Sequence, residues 1–315
     1  MSNNFSLFCF SIRDSLQLEA QFDTINSMKE KIYQIPKMNT FCMQHIFECG
    51  QCFRWNKEKD GSYTGVFNNN VLNVKEEKNK IIFQGICKED IEKVVTEYFD
   101  LNRNYEEIQQ ILNKVDEPLK QSISYGKGIR LLNQDLWETI ISFIISSNNN
   151  IPRIKGIIER ISKQYGNKIE WREKEYYTFP SIEQLKKANI EDLRALGLGF
   201  RDKYVYETTQ MISNKEVDLE KLKLEQETLE IRNTLLKLSG VGPKVADCIM
   251  LFSTLKRLDV FPIDVWVRRV MNDLYIHNPQ EEKVNKKEIE KLAKQKYGEL
   301  AGIAQQYLFY WKREA

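Results

Sequence analysis

The chain has 315 residues, 42% of them hydrophobic, which is enough for sizeable apolar cores in two domains or one large one. No apolar run approaches the roughly 18 residues that a membrane span needs. The net charge of +2 settles little alone; residues 1–119 carry 14 Lys and Arg against 18 Asp and Glu, while residues 120–315 carry 33 against 27, so any bound phosphate would be drawn to the later part, although on charge alone the split reads as ordinary surface variation. Met1–Phe10 lacks the basic leader and small-residue cleavage site of a signal peptide, so a mature intracellular chain is expected. His45 and His277 are the only histidines, which argues against a histidine-rich zinc or two-metal centre and against a Ser-His-Asp triad.

In chain order, residues 41–47, 52–55, 63–67, 71–75 and 80–84 are rich in β-formers and are separated by turn signals at Asp60-Gly61, Asn68-Asn69-Asn70 and Lys78-Asn79. Short sequential strands with tight turns predict an antiparallel meander. Helical patterns follow at 89–99 and 105–115. From about residue 120 the pattern is helical throughout: Trp137, Ile140, Ile141, Ile144 and Ile145 mark one buried helix face, and further helices are expected at 151–165, 181–188, 190–195, 201–212, 228–238, 243–252, 264–274, 286–297 and 302–311. The fold class is therefore α+β, with an antiparallel sheet domain over 1–119 packed on an all-α domain over 120–315.

The cysteines are Cys9, Cys42, Cys49, Cys52, Cys87 and Cys248. The spacing of Cys42, Cys49 and Cys52 matches three ligands of an iron–sulfur loop, but the position for a fourth holds Glu58. A cluster needs its full thiolate set, so these cysteines are read as strand residues and no metal is expected.

Helices 228–238 and 243–252 are joined by Ser239-Gly240-Val241-Gly242, with apolar stripes at Ile231, Leu235, Leu238 and at Val245, Cys248, Ile249, Phe252. They are expected to pack as a hairpin around Val241. The two glycines permit a sharp positive-φ turn, Pro243 suits the first helical position, and the free amides at that helix start form an anion site. Lys244 lies one turn from Cys248. Twenty residues beyond Lys244, Asp264 follows Pro262 as a plausible cap for the next helix. A lysine attacks a sugar C1′ only as the free amine, which desolvation or a nearby positive potential favours.

The stretch Leu238-Ser239-Gly240-Val241-Gly242-Pro243-Lys244-Val245-Ala246, followed by Asp264, resembles the signature of the helix-hairpin-helix DNA glycosylases, whose members with lysine here are glycosylase/lyases. Over roughly residues 40–315 the chain is similar to the 8-oxoguanine DNA glycosylase family. The resemblance implies Lys244 as nucleophile and Asp264 as stabiliser of the oxocarbenium charge. It implies that the Gly50 carbonyl, in Cys49-Gly50-Gln51-Cys52-Phe53-Arg54-Trp55, accepts the N7–H of 8-oxoguanine. Gln305 would bond the base's pairing edge, with Phe309 and Cys248 covering its two faces. Asn148, in Ser146-Ser147-Asn148-Asn149-Asn150, would fill the hole left by the flipped base, with Arg153 and Arg201 reading the opposite cytosine. The amides of Gly240, Gly242 and Val245 would hold phosphate.

Two residues depart from that family's pattern: Phe200 stands where a tyrosine wedge is usual, and Trp266 where a histidine often touches phosphate, a loss that Arg268 or Arg269 could offset. No cofactor is required by this reading, although relatives place a monovalent cation on the hairpin carbonyls. The partner is double-stranded DNA with 8-oxoguanine opposite cytosine, met by a monomer in the bacterial cytoplasm, with a nuclear location left open. An alkylation-repair glycosylase would lack Lys244, and an endonuclease III-type or adenine-mismatch enzyme would need cysteines beyond Cys248. A DNA-binding module without catalysis leaves Asp264, Gly50 and Gln305 unexplained.

Overall fold

The computed structural model describes residues 29–314; Met1–Phe10, and with them Cys9, lie outside the described residues. The first layer is an antiparallel sheet of β1 (Lys31–Pro36), β2 (Trp55–Lys57), β3 (Tyr63–Phe67), β4 (Asn70–Glu76) and β5 (Lys80–Ile86), in the order β1-β5-β4-β3-β2. The β3–β4 turn places Asn68 and Asn69 at φ 46° and 60°, the left-handed pair that a two-residue hairpin needs and asparagine tolerates, which fixes Val66 opposite Val71.

The sheet departs from expectation in three places, one being that the strand placed at 52–55 runs instead over Trp55–Lys57. Edge strand β1 was not anticipated. Residues 41–47 form no strand: they hold helix α1 (Met43–Phe47). The reason is tertiary. Cys42 N donates to Gly128 O at 3.0 Å, Gly128 N donates to His45 Nδ1 at 3.1 Å, and Ile46 and Phe47 are buried. The described cysteines are consequently not strand residues. Cys42 precedes α1, Cys49 and Cys52 lie in the turns after it, and Cys87 follows β5. Burial pushes the Cys49 thiol up to about 11 and raises that of Cys52 further, so both are held as thiols.

The helical part comprises α2 (Ile91–Tyr98), α3 (Tyr105–Leu112), α4 (Glu117–Tyr125), α5 (Leu136–Ser146), α6 (Ile151–Tyr165), α7 (Ile182–Leu185), α8 (Ile190–Ala195), α9 (Arg201–Ser213), α10 (Leu219–Leu224), α11 (Thr228–Leu235), α12 (Pro243–Phe252), α13 (Val265–Met271), α14 (Lys286–Tyr297) and α15 (Ala301–Glu314). Side-chain caps set many of the starts: Asp90, Asn104, Asp116, Asp135 and Asn150 each accept from the amide three residues on. Between α6 and α7 lies a hairpin of β6 (Lys168–Trp171) and β7 (Lys174–Tyr177) that the sequence reading lacked. Its turn residues Arg172 and Glu173 take φ 51° and 58° without any glycine or asparagine to announce them.

One apolar core under the sheet includes Ile46, Phe47, Trp55, Val74, Phe83 and Phe99. The larger helical core already takes in Ile108, Leu112, Leu119 and Ile123. The expected division at 119/120 falls inside α4, and by packing the change comes earlier. Gln51, fully buried, joins the layers: its Nε2 donates to Arg130 O at 2.8 Å and its Oε1 accepts from Leu132 N at 2.9 Å. Arg54 donates to Tyr177 O at 2.5 Å. No helix among the described residues is long and apolar enough to cross a membrane.

Candidate active site

Helices α11 and α12 pack as expected. Ile231, Leu235 and Leu238 are buried on one side, and Val245, Cys248, Ile249 and Phe252 on the other. The turn is closed by Val241 N donating to Leu238 O at 3.2 Å. Gly240 sits at φ +77°, where a Cβ would also come within 2.8 Å of the Tyr204 side chain, so glycine is required twice over. Gly242 differs from the expectation: it is extended, at φ −91° and ψ 178°, and a Cβ there would meet open space. Only one of the two glycines makes the turn. The other leaves the backbone bare.

The amides of Gly240, Gly242 and Val245 donate to no acceptor among the described residues, which leaves three orphan donors at the start of α12. Helix α9 steadies the turn, with Thr208 Oγ1 donating to Ser239 O at 2.9 Å and Ser239 Oγ to Glu207. A buried ion pair binds the two hairpin helices, Arg232 Nη2 to Asp247 Oδ1 at 2.6 Å.

Lys244, on the first turn of α12, is half-buried and holds its Nζ 5.4 Å from the centroid of the Phe143 ring. No carboxylate lies within 4.0 Å of it among the described residues. Asp264 caps α13, accepting from Val267 N at 2.7 Å through Oδ1; its second oxygen accepts no bond among the described residues. Burial pushes the Cys248 thiol up to about 11, the Lys244 ammonium pulls it down, and the Asp264 carboxylate pushes it up again. The Asp247 carboxylate pushes it up more than Asp264 does, so the thiol lies within reach of all three charges.

The strip 48–51 forms the neighbouring wall. Gly50 is at φ +85°, and a Cβ on it would lie 3.4 Å from Phe309 Cε1 and 3.2 Å from Arg313 Nη1. Its neighbours' carbonyls are all taken: Glu48 O by Arg313, Cys49 O by Gln306 Nε2 at 2.6 Å, and Gln51 O by Gln134 Nε2 at 2.7 Å. The Gly50 carbonyl alone in this strip accepts nothing from the described residues. Gln305, 5% exposed on α15, has an Oε1 that is buried without a partner. An orphaned acceptor of this kind costs about 1–3 kcal/mol. Phe309, one turn on, is half-buried beneath the Arg313 guanidinium. Phe53 packs edge-on to Phe143 at 5.5 Å, which brings the strip beside the ring under Lys244.

The three asparagines divide their work. Asn149 closes α5, with Nδ2 donating to Ile145 O at 3.1 Å, and Asn150 caps α6. Asn148 is exposed at φ +49°, its side chain bonded to nothing among the described residues. Arg201 lies beneath this loop, 2% exposed, donating to Ser147 O at 2.6 and 2.9 Å and to Asn148 O at 2.8 Å. Its guanidinium is therefore engaged by the backbone rather than presented to solvent. Arg153 is exposed, within 3.4 Å of Gly197 O. Phe200 stands out, 57% exposed, edge-on to Tyr204. Trp266 is also exposed. Arg268 and Arg269 both face Glu281. The described residues hold no group of three His, Cys, Asp or Glu side chains placed for a metal.

The sequence reading missed Gln134, Gln306 and Arg313. Each acts by donating to a backbone carbonyl far away in the chain, and no local spacing announces such a bond.

Residues 33–140 match the model of the 8-oxoguanine DNA glycosylase N-terminal domain. Residues 141–296 match that of the HhH-GPD superfamily base excision DNA repair protein. The chain is 33% identical over 252 residues to a probable N-glycosylase/DNA lyase of Methanothermobacter thermautotrophicus, covering 74% of this chain and 77% of that one. It is 31% identical over 255 residues to the N-glycosylase/DNA lyase of Saccharomyces cerevisiae, covering 73% and 67%. Among solved structures it resembles the Clostridium acetobutylicum 8-oxoguanine glycosylase/lyase in complex with DNA containing cytosine opposite 8-oxoguanine, with a TM-score of 0.85, 41% identity and coverage of 91% and 97%. A single chain that carries the sheet domain, the hairpin and the lysine and aspartate behind it, matched over both parts, belongs to the 8-oxoguanine DNA glycosylase family of helix-hairpin-helix base-excision repair proteins.

Proposed function

We propose that this protein excises 8-oxoguanine from duplex DNA and then nicks the strand, with Lys244 as nucleophile. The observation that carries the reading is the pair of open hydrogen-bond acceptors, Gly50 O and the buried Gln305 Oε1, on a chain that also sets the Lys244 amine at the start of α12 and the Asp264 carboxylate at the start of α13. Oxidised guanine differs from guanine in bearing a hydrogen on N7. A carbonyl aimed at N7 gains a bond from the lesion and meets a lone pair on the normal base.

The base is flipped out of the helix and the backbone is held at the Gly240, Gly242 and Val245 amides. The lone pair of the deprotonated Lys244 amine forms the bond to C1′ while the C1′–N9 electron pair leaves with the base, which takes up a proton. The Asp264 carboxylate stabilises the positive charge that develops on the sugar. Ring opening gives an imine between Lys244 and C1′. Loss of a C2′ proton expels the 3′ phosphate, and water then frees Lys244. A monovalent cation on the hairpin belongs to the same reading: the Val241 carbonyl accepts nothing among the described residues, and a cation there would add positive charge beside the phosphate. A monomer suffices, since every residue invoked lies on one chain. The likeness to the Clostridium enzyme supports a duplex with cytosine opposite the lesion, and bacterial nucleoid DNA is part of the same proposal.

The test is borohydride trapping on duplex DNA with one 8-oxoguanine opposite cytosine. A covalent adduct with the wild type and none with Lys244→Gln is expected. Tight binding with neither adduct nor base release would overturn the reading for this substrate.

A further inference from the structure

Base reading and sugar attack act on two ends of one nucleotide, so the Gly50 carbonyl and Lys244 must be held at a fixed separation. They lie on different elements, Gly50 in the strip after α1 and Lys244 on α12. Arg313 and Gln306 tie the strip 48–51 to α15, which carries Gln305 and Phe309. Neither reaches α12, which carries Lys244. Among the described residues, one side chain hydrogen-bonds to both the strip and α12. Gln134 Nε2 donates to Gln51 O at 2.7 Å and to Phe252 O, the last residue of α12, at 3.1 Å. An amide NH2 has two hydrogens, so both bonds are held at once. Its main chain is already fixed to the same helix end: Gln134 N donates to Phe252 O at 3.3 Å and Gln134 O accepts from Thr254 N at 2.8 Å. The side chain is thus anchored on α12 and reaches across to the residue after Gly50. It also lies directly before α5, which bears Phe143 under Lys244 and ends at the Asn148 loop.

We propose, resting on the function just stated, that Gln134 is a positioning residue that sets the distance between the base-reading carbonyl of Gly50 and the nucleophile Lys244. Without its donors Gln51 O, on a residue that is fully buried, loses its partner, and the strip is free to shift relative to α12. A misplacement of about 1 Å costs a rate on the order of 10²-fold.

An abasic site has no base to read. Its nicking needs Lys244 and Asp264 but not the Gly50 carbonyl, so it separates positioning from general damage. The experiment compares wild type, Gln134→Leu and the milder Gln134→Asn, each below its own melting temperature. Single-turnover release of 8-oxoguanine is measured beside nicking of a preformed abasic site. The expected result is release slowed ~10²-fold in Gln134→Leu, and less in Gln134→Asn, with nicking in both within about threefold of wild type. Parallel loss of release and nicking in both variants, or no loss of release in either, would overturn the proposal. Failure of the wild type itself to release 8-oxoguanine, with nicking intact, would instead count against the substrate reading.

Discussion

Gly50→Ala tests the base-reading wall with a single methyl group. At φ +85° an alanine is strained by roughly 1–2 kcal/mol. With an unfolding entropy of about 2.1 cal/mol/K per residue, a chain of this length would lose only about 2–3 °C in melting temperature. The activity should suffer far more. The new Cβ would stand 3.4 Å from Phe309 Cε1 and 3.2 Å from Arg313 Nη1, so the ring and the guanidinium must each yield by a few tenths of an ångström. Arg313 is the donor that holds Glu48 O, so its displacement loosens the strip that aims the Gly50 carbonyl. Misalignment of the base against both the carbonyl and the stacking ring is expected to slow 8-oxoguanine release on the order of 10²-fold, equivalent to about 2.7 kcal/mol of barrier. Nicking at an abasic site, which uses neither group, should stay close to wild type. The assay is single-turnover release and abasic nicking on the same preparation, with a melting curve beside them. Release at the wild-type rate would refute the reasoning, because no arrangement that uses this carbonyl and this ring survives the methyl group unchanged.

Asp264→Asn separates the cap from the chemistry: asparagine caps as well as aspartate, so melting should barely change, while loss of the carboxylate should cost ~10²–10³-fold in base release. A variant with wild-type release would leave Asp264 as a cap alone. Gln305→Leu should stabilise the protein by about 1–3 kcal/mol, a few degrees, because it removes the buried unpaired Oε1, and should at the same time abolish most lesion binding; a lower melting temperature would show that Oε1 has a partner. Burial holds the Asp247 carboxyl up near 7, against its ordinary 3.8, with Arg232 pulling the other way. The fold therefore binds that proton more tightly than the unfolded chain does, a contribution that is complete below pH 3.8 and is lost as pH rises through about 7. Relative to Asp247→Asn, the wild type should lose stability between pH 4 and 8 by at most about 4 kcal/mol, and a flat difference in melting temperature across that range would contradict the assignment.

What the sequence made legible is what local chemistry decides. Pro243 at a helix start, Asp264 as a cap that takes the Val267 amide, the apolar faces of α11 and α12, and the Asn68-Asn69 turn were readable because each depends on neighbours within a turn of helix or one hairpin. The joint presence of Lys244 and Asp264 was readable as a motif. The failures have a different origin. The segment 41–47 has strand-forming composition and becomes helical because Gly128 and the core claim it. The β6–β7 turn places Arg172 and Glu173 in the left-handed region with no residue that advertises it. The clamp on the strip 48–51 is invisible for the same reason, since Gln134 and Gln306 find their carbonyl partners 83 and 257 residues away. Arg201 shows a partial case: the sequence places it near the Asn148 loop, but not that its guanidinium supports that loop from beneath.

The clamp bears on why a backbone carbonyl, rather than a side chain, faces the position proposed for N7. A side-chain amide such as that of Gln305 can rotate and offer either its oxygen or its NH2, so at N7 it would satisfy the lesion and the normal base equally. A carbonyl at a fixed φ and ψ has no donor to offer. Its preference survives only if the peptide itself cannot turn, because rotation would bring the following amide N–H toward the base, a donor suited to guanine. Gln51 O held by Gln134 and Cys49 O held by Gln306 fix the two peptide groups that flank the Gly50–Gln51 peptide and so restrict its rotation. With the flanking peptides held, guanine covers this carbonyl and leaves it unbonded at a cost of about 1–3 kcal/mol, up to two orders of magnitude in rate. The conformational freedom that glycine gives this site is thus spent once, on reaching φ +85°, and the surrounding amides then remove it.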